Sequence, residues 1–289
     1  MPYVKQIFPA LATKGARYRK IEDRIEIRSS QDVKLFAIYD GHAGSQVSEE
    51  LSRTFGRLLH RVLSKVDPND NATIRKLLRM AFVLKDRQIE RARTRRPEYD
   101  PGSTAVMAIF FAKTGRLYFA HSGDSRAVLY RVARRKQPDG MVAVKLHEVM
   151  ATEDHKPLAP GEEARIKAAG GHVTRANRSS VERVDGILAV SRSFGDYHLK
   201  QNGTVEYDPV KGKVSVVPDV RMVTLKPGVE YRLFIASDGL WDEMDNAELA
   251  KLASFPTVLN PEFGKQLVRY ARIKGGDDDI SVIGLAIKV

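Results

Sequence analysis

Phe36-Ala37-Ile38-Tyr39-Asp40-Gly41-His42-Ala43-Gly44 is an apolar run that delivers a carboxylate into a glycine-rich turn. Leu233-Phe234-Ile235-Ala236-Ser237-Asp238-Gly239 repeats the phrase far along the chain. Short apolar runs bounded by turn residues have the pattern of buried strands. A glycine just past the strand lets the backbone turn sharply or approach another group closely. An aspartate leaving a buried strand is rigidly aimed, and two of them can converge on one hard cation, which takes oxygen ligands.

Outward from these strands, Arg24-Ile25-Glu26-Ile27-Arg28 alternates as a half-buried strand does. Over residues 44–66, Val47, Leu51, Phe55, Leu58, Leu59 and Val62 recur at helical spacing; over 71–94, Ile74, Leu77, Leu78, Ala81, Ile89 and Ala92 do the same. Asp67-Pro68-Asn69-Asp70 parts the two helices. Runs at 102–112 and 116–121, separated by Lys113-Thr114-Gly115, predict a hairpin. Further strands are expected at 126–132 and 142–149, around an exposed basic loop at 133–140. A short helix over 161–169 stops at Gly170-Gly171. Residues 175–218 carry little periodicity, as functional or disordered segments do. Strands at 220–225 and 231–236, helices at 246–253 and 261–273, and a strand over 280–289 complete the chain. Helices in blocks and strands in hairpins give the class α+β, with helices on the outside of a sandwich of two sheets. With no repeat, low-complexity tract or proline-rich linker, residues 1–289 are expected to form one domain.

The chain has 289 residues, 43% hydrophobic and 29% charged, the composition of a folded protein rather than a disordered one. No apolar stretch is long enough for a membrane span. The N-terminus lacks a signal-peptide core, and Pro2 stands where myristoylation needs glycine, so cytoplasm or nucleus is the expected compartment. There is no cysteine, which excludes disulfides, thiolate metal sites and every thiolate nucleophile. The net charge of +12 favours acidic or phosphorylated partners. Residues 75–96 hold nine basic residues against Asp86 and Glu90. A solvated helix face is the simplest reading, and nucleic-acid binding is not expected.

Acidic residues recur where apolar runs meet turns: Glu22 or Asp23, Asp40, Asp124, Asp238 and Asp277 to Asp279. Aspartate beside glycine is common in ordinary turns, so each alone means little. As a set gathered at strand ends they would repel one another unless a cation neutralised them. Oxygen-only ligands select Mg²⁺ or Mn²⁺. The acidic run at Asp278 lacks the spacing of a calcium-binding EF-hand loop. Gly102-Ser103-Thr104 lacks the lysine of a phosphate-binding P-loop, and no serine-hydrolase, zincin or kinase motif is present.

Ile21-Glu22-Asp23, Tyr39-Asp40-Gly41-His42-Ala43-Gly44, Gly102-Ser103-Thr104-Ala105 and Ser122-Gly123-Asp124-Ser125-Arg126 resemble blocks of the protein phosphatase 2C (PPM) family of metal-dependent Ser/Thr phosphatases. So do Asp154-His155-Lys156-Pro157, Gly170-Gly171-His172-Val173 and Leu188-Ala189-Val190-Ser191-Arg192-Ser193-Phe194-Gly195-Asp196. Ser237-Asp238-Gly239-Leu240-Trp241-Asp242 and Asp278-Asp279-Ile280-Ser281-Val282 complete the set, in the family's order.

The resemblance implies a four-layer αββα sandwich, two antiparallel sheets flanked by helices, with a binuclear Mn²⁺ or Mg²⁺ centre at one end. It implies that Asp40 bridges two cations, that Asp238 and Asp278 complete one site, and that Glu22 and the Gly41 carbonyl serve the other. Asp124 matches a ligand of a third, weaker ion, and His42 the general acid. Residues of about 194–218 match a flap beside the cleft. The implied activity is hydrolysis of phosphoserine and phosphothreonine in proteins by a metal-activated water, with a monomer expected. The alternative is a catalytically inactive phosphoprotein-binding scaffold. Two departures stand out. The family's phosphate-binding arginine falls at Tyr18, flanked by Arg17 and Arg19, either of which can take its place. The family's Asp-Asn pair is Asp278-Asp279 here.

Overall fold

All side chains of the strand Val33–Tyr39 except Lys34 are buried, and its two faces enter different cores. Val33, Leu35, Ala37 and Tyr39 pack under helices, whereas Phe36 and Ile38 pack against a second sheet. The two-residue period of a strand makes that division, and burial on both faces removes the polar alternation from the sequence. This is a computed structural model, and it describes residues 3–6, 10–16, 20–92, 100–175, 181–201, 207–255 and 262–289.

One antiparallel sheet runs Asp219–Thr224, Arg116–Ser122, Ala105–Phe111, Val33–Tyr39, Arg24–Ser29. The other runs Tyr3–Gln6, Ile280–Lys288, Glu230–Ala236, Arg126–Lys136, Val142–Ala151, with Leu11–Thr13 also paired to Ile280–Lys288. Between the sheets, Phe36, Ile38, Phe110 and Phe119 meet Leu129, Leu233, Ile235 and Leu285. Outside the first sheet lie the helices of residues 46–63 and Asn71–Ala92; outside the second lie Asp238–Trp241, Asn246–Leu252 and Phe263–Ile273. The expected αββα sandwich is present.

The departures are local. The helix expected over 44–66 is α-helical at Gln46–Glu50 and Gly56–Leu63 with a π-helical turn, Leu51–Phe55, between them. Its buried stripe is Val47, Leu51, Phe55, Leu59 and Leu63, an unbroken i, i+4 series. Such a series drifts around a straight α-helix of 3.6 residues per turn, and the wider π turn takes up part of the drift. Leu58, expected in the core, is therefore left 48% exposed. In Asn71–Ala92, Ala92 is exposed, and Phe82, Lys85 and Asp86 are buried instead. The first half of the expected basic loop at 133–140 belongs to the strand Arg126–Lys136, and only the residues after Lys136 form the turn. Tyr3–Gln6 and Leu11–Thr13 were not expected as strands; they are short edge additions held by pairing with Ile280–Lys288, a tertiary cause without a local signal.

Residues 181–201 and 207–218 are mostly irregular but firmly anchored. Phe194 enters the helical layer, with its ring 5.5 Å from Phe55 and 5.1 Å from Phe82. Glu162, at the start of the helix Glu162–Ala168, accepts from Arg165 Nη2 at 2.7 Å, Arg192 Nη2 at 2.7 Å and Ser191 Oγ at 2.5 Å. Burial opposes the charge on Glu162, yet Arg192 and Arg165 outweigh it and hold the pKa at about 2. A depressed carboxylate pKa contributes stability that is present above its unfolded value and lost as pH falls through the folded one. Between about pH 4.5 and 2, urea midpoints of the wild type are expected to fall more steeply than those of Glu162→Gln. At pH 7 the variant is expected to be less stable by about 3 kcal/mol, because Arg165 loses its carboxylate and Arg192 keeps only Asp219, at 2.9 Å.

Candidate active site

The strand registers bring the acidic turns to one end of the sandwich. In the first sheet Arg24 pairs with Tyr39 and Ala105 with Ser122, so the residues before Arg24, after Tyr39 and after Ser122 share an edge. In the second, Ala236 pairs with both Arg126 and Val282, so the residues after Ala236 and before Ile280 share an edge. The turn from Ser122 to Arg126 passes between the sheets and places those two edges side by side. Hydrogen bonds close the seam: Ser237 Oγ donates to Asp23 Oδ2 at 2.8 Å, and Thr104 Oγ1 and Ser125 Oγ are 2.7 Å apart.

The carboxylates meet there. Asp40 is pushed well above the usual carboxylate range by burial and then by Asp238, Asp23 and Asp124. Asp238 is raised likewise by burial, then by Asp124, Asp242 and Asp278. Glu22 is raised by burial and Asp279, and Asp23 is pushed up to about 6, chiefly by burial. Glu22 Oε2 and Asp23 Oδ1 are buried without a hydrogen-bond partner. Unpaired buried acid oxygens are costly, and a divalent cation is the group that satisfies several at once. Glu22, Asp40, Asp238 and Asp278 are only half-buried, so the cluster is open to solvent on one side. The donor set of oxygens alone fits Mg²⁺ or Mn²⁺.

Gly41 and Gly239 serve this convergence by close approach rather than by unusual φ. A Cβ on Gly41 would lie 2.7 Å from the Glu22 carbonyl oxygen, and one on Gly239 2.0 Å from that of Asp279. The turn itself is made by Ala43, at φ 54°, and Gly44, at φ 124°. Asp279 accepts from the backbone N–H of Gly15 and of Glu22, each at 2.6 Å. It thereby ties the two chain segments on either side of residues 17–19 to the cluster. Arg17 and Arg19 lie outside the described residues. Lys156 Nζ sits 2.5 Å from Asp124 Oδ2 and brings one positive charge into the cluster.

His42 lies beside the acids, and its Nε2 is 2.8 Å from Asp196 Oδ2 and 2.9 Å from Oδ1. Burial lowers the imidazole pKa, but the Asp196 carboxylate more than offsets that, so the net shift is upward. Nothing in the sequence pattern assigns Asp196 this role. Its only local sign is the block Phe194-Gly195-Asp196, where Asp196 adopts φ 50° and Gly195 φ 77°, a kink that aims the carboxylate at His42. A Cβ on Gly102 would lie 2.2 Å from both His42 Nε2 and Asp196 Oδ2, so this pair closes over a glycine.

A second group, His121, His155 and Asp219, has potential ligand atoms within 4.8 Å of one another. The two imidazoles are stacked, with centroids 4.5 Å apart and planes 7° from parallel, so one ion cannot lie in both ring planes. His155 Nδ1 also accepts from the Gly123 N–H, which leaves the proton on Nε2 and no lone pair there. The carboxylate cluster is the better candidate for metal.

Residues 15–280 match the profile of the protein phosphatase 2C family. The chain belongs to that family. It is 36% identical over 255 residues to human probable protein phosphatase 1N, covering 86% of this chain and 52% of that protein. To human protein phosphatase 1B it is 35% identical over 269 residues, covering 88% and 50%. The chain thus spans about half the length of these curated relatives. A crystal structure of a phosphatase from Toxoplasma gondii superposes with a TM-score of 0.74 at 25% identity, covering 99% of this chain and 95% of that one. Protein phosphatase 2C enzymes are metal-dependent phosphatases, and the carboxylate cluster occupies the end of the sandwich where the sequence blocks of the family meet. No helix among the described residues is long and apolar enough to cross a membrane.

Proposed function

We propose that this protein hydrolyses phosphoserine and phosphothreonine esters in other proteins, using two divalent cations, Mn²⁺ or Mg²⁺. The observation that carries the reading is the meeting of Glu22, Asp40, Asp124, Asp238 and Asp278 at one end of the sandwich, with buried acid oxygens left unpartnered. Asp40, Asp238 and Asp278 would hold one cation, with Asp40, Glu22 and the Gly41 carbonyl holding the other; Asp124 would serve a third. Bound cations would lower the pKa of water and offset charge on the phosphoryl oxygens.

The remaining chemistry falls to this chain's own groups. Arg17 or Arg19 would bind the phosphoryl oxygens, orienting phosphorus for in-line displacement. As the phosphorus–oxygen bond to the seryl or threonyl side chain breaks, that oxygen needs a proton. Asp196 keeps His42 protonated through Nε2, and Nδ1, without a partner among the described residues, is the atom that gives its proton to the departing alkoxide. Asp196 then holds the neutral imidazole in one tautomer by accepting from Nε2–H.

Purified protein is expected to release phosphate from a phosphothreonine peptide with Mn²⁺ or Mg²⁺ and to stop in EDTA. Undiminished turnover in the chelator would contradict the reading. Gly102→Ala is expected to cut kcat on the peptide by about a hundredfold, since its Cβ displaces the His42–Asp196 pair. On p-nitrophenyl phosphate, whose leaving group needs no proton, it should change kcat by less than about threefold. Equal losses on both substrates would remove His42 from the acid role.

A further inference from the structure

The solvent side of a surface helix is normally polar. On the outer face of the two-helix layer, Leu58 is 48% exposed, Met80 46% and Leu84 57%. Met80, Leu84, Arg87, Gln88 and Arg91 follow helical spacing and form one stripe on Asn71–Ala92. Across from it, Gly56–Leu63 presents Arg57, Leu58 and Arg61. A depression of about 270 Å³ lies in the seam between the helices, lined by Arg57, Leu58, Arg61, Lys85 and Gln88, and a second of about 330 Å³ continues from Gln88 along Asn71–Ala92 past Leu84, Arg87 and Arg91.

The rim is cationic. Arg57, Arg61, Arg87 and Arg91 are exposed, and none has a carboxylate partner among the described residues. Lys85, also in the lining, is neutralised by Glu50 at 2.6 Å. Asp86, on the same helix, does not balance the rim, because it is buried against Lys200. None of the lining residues belongs to the carboxylate cluster.

We propose that this groove docks an acidic amphipathic segment of a partner protein. Two or three apolar side chains at helical spacing would cover Leu58 and Leu84, and flanking Asp or Glu would pair with the four guanidiniums. Aliphatic side chains in a groove match the apolar stripe of a helix. Among the described residues the lining offers no aromatic platform on which bases could stack, which disfavours a nucleic acid. Carboxylates across the rim would relieve the repulsion among unpaired arginines and speed association. This surface is independent of the phosphatase reading, since binding here requires no turnover.

The test uses the full chain and a fluorescein-labelled peptide with Leu at i, i+4 and i+7 and Asp or Glu elsewhere, followed by anisotropy. Saturable, salt-sensitive binding is expected. The triple variant Arg61→Glu/Arg87→Glu/Arg91→Glu should weaken it by about tenfold or more. Leu58→Ser/Leu84→Ser should weaken it by about tenfold as well, and a scrambled peptide of equal charge should bind less tightly. Hydrolysis of p-nitrophenyl phosphate should be unchanged in both variants. No saturable binding, or equal binding by the triple variant, would overturn the proposal. So would single-stranded DNA binding that is lost in the arginine variant, intact in the leucine variant and indifferent to the peptide.

Discussion

Asp40→Asn is expected to lower turnover by about a thousandfold or more while raising the melting temperature of the metal-free protein. The two effects have one cause. In the metal-free fold, burial opposes the charge on Asp40, and repulsion from Asp238, Asp23 and Asp124 adds to it. An acid with a raised folded pKa makes the fold less stable as pH rises from the unfolded value towards the folded one. A tenfold weakening of an acid on folding costs about 1.4 kcal/mol once it is ionised, and part of that cost disappears with the charge. A gain of about 1–2 kcal/mol corresponds to a few degrees for a chain of this size. In the wild type a bound divalent ion would do the same work and more: at a hundred times its dissociation constant it would stabilise the fold by about 2.7 kcal/mol. On the proposed mechanism, Asp40→Asn should lose most of that metal-induced rise, together with the several kcal/mol of transition-state stabilisation that bound cations would supply. A variant that melts lower than wild type without metal, yet still gains stability from Mn²⁺, would count against this.

Asp86→Leu is expected to have the largest effect on the fold. Asp86 and Lys200 are both fully buried and 2.7 Å apart. Asp86 also accepts from the Tyr207 hydroxyl at 2.6 Å and the Gly195 N–H at 2.9 Å. Burial raises the Asp86 pKa, and Lys200 only partly offsets it. Removing the acid alone leaves a buried ammonium, at a cost of about 3–5 kcal/mol. It also frees Gly195, the residue before Asp196, so His42 loses its orientation along with the fold's stability. The double variant Asp86→Leu/Lys200→Met should regain much of the stability in urea melts, because no charge is then left unpaired. It should recover less of the activity on a phosphothreonine peptide, because the Gly195 anchor remains absent. Full recovery of both would show that Asp86 matters only as the partner of Lys200.

The parts of this molecule that are legible in sequence are those in which one strand carries both its burial and its cargo. The runs ending at Tyr39 and Ala236 announce strands, and the acids that follow each announce a site, because register alone brings strand ends together. Asp196 is not legible as the partner of His42, since its role depends on a left-handed kink and a contact across the fold. Lys85 and Asp86 read as polar helix surface; only the contacts of Lys85 with Glu50 and Thr54, and of Asp86 with Lys200 and Tyr207, reveal their burial. Leu58 is placed in the core by a spacing that assumes a regular α-helix, and the π-helical turn at Leu51–Phe55 moves it outward. Asp279 reads in sequence either as extra charge near the cations or as a group that bonds backbone, and in the fold it holds the backbone at Gly15 and Glu22. Each miss is a long-range contact or a local break in helical period, neither of which leaves a pattern in neighbouring residues.

The most direct test of the central claim is calorimetric titration of Mn²⁺ into metal-free wild type and Asp40→Asn. If the acids at the end of the sandwich hold a pair of ions, the wild type binds at least two per chain and the variant loses the tighter binding. Absence of Mn²⁺ binding by the wild type, or an unchanged isotherm in the variant, would contradict it.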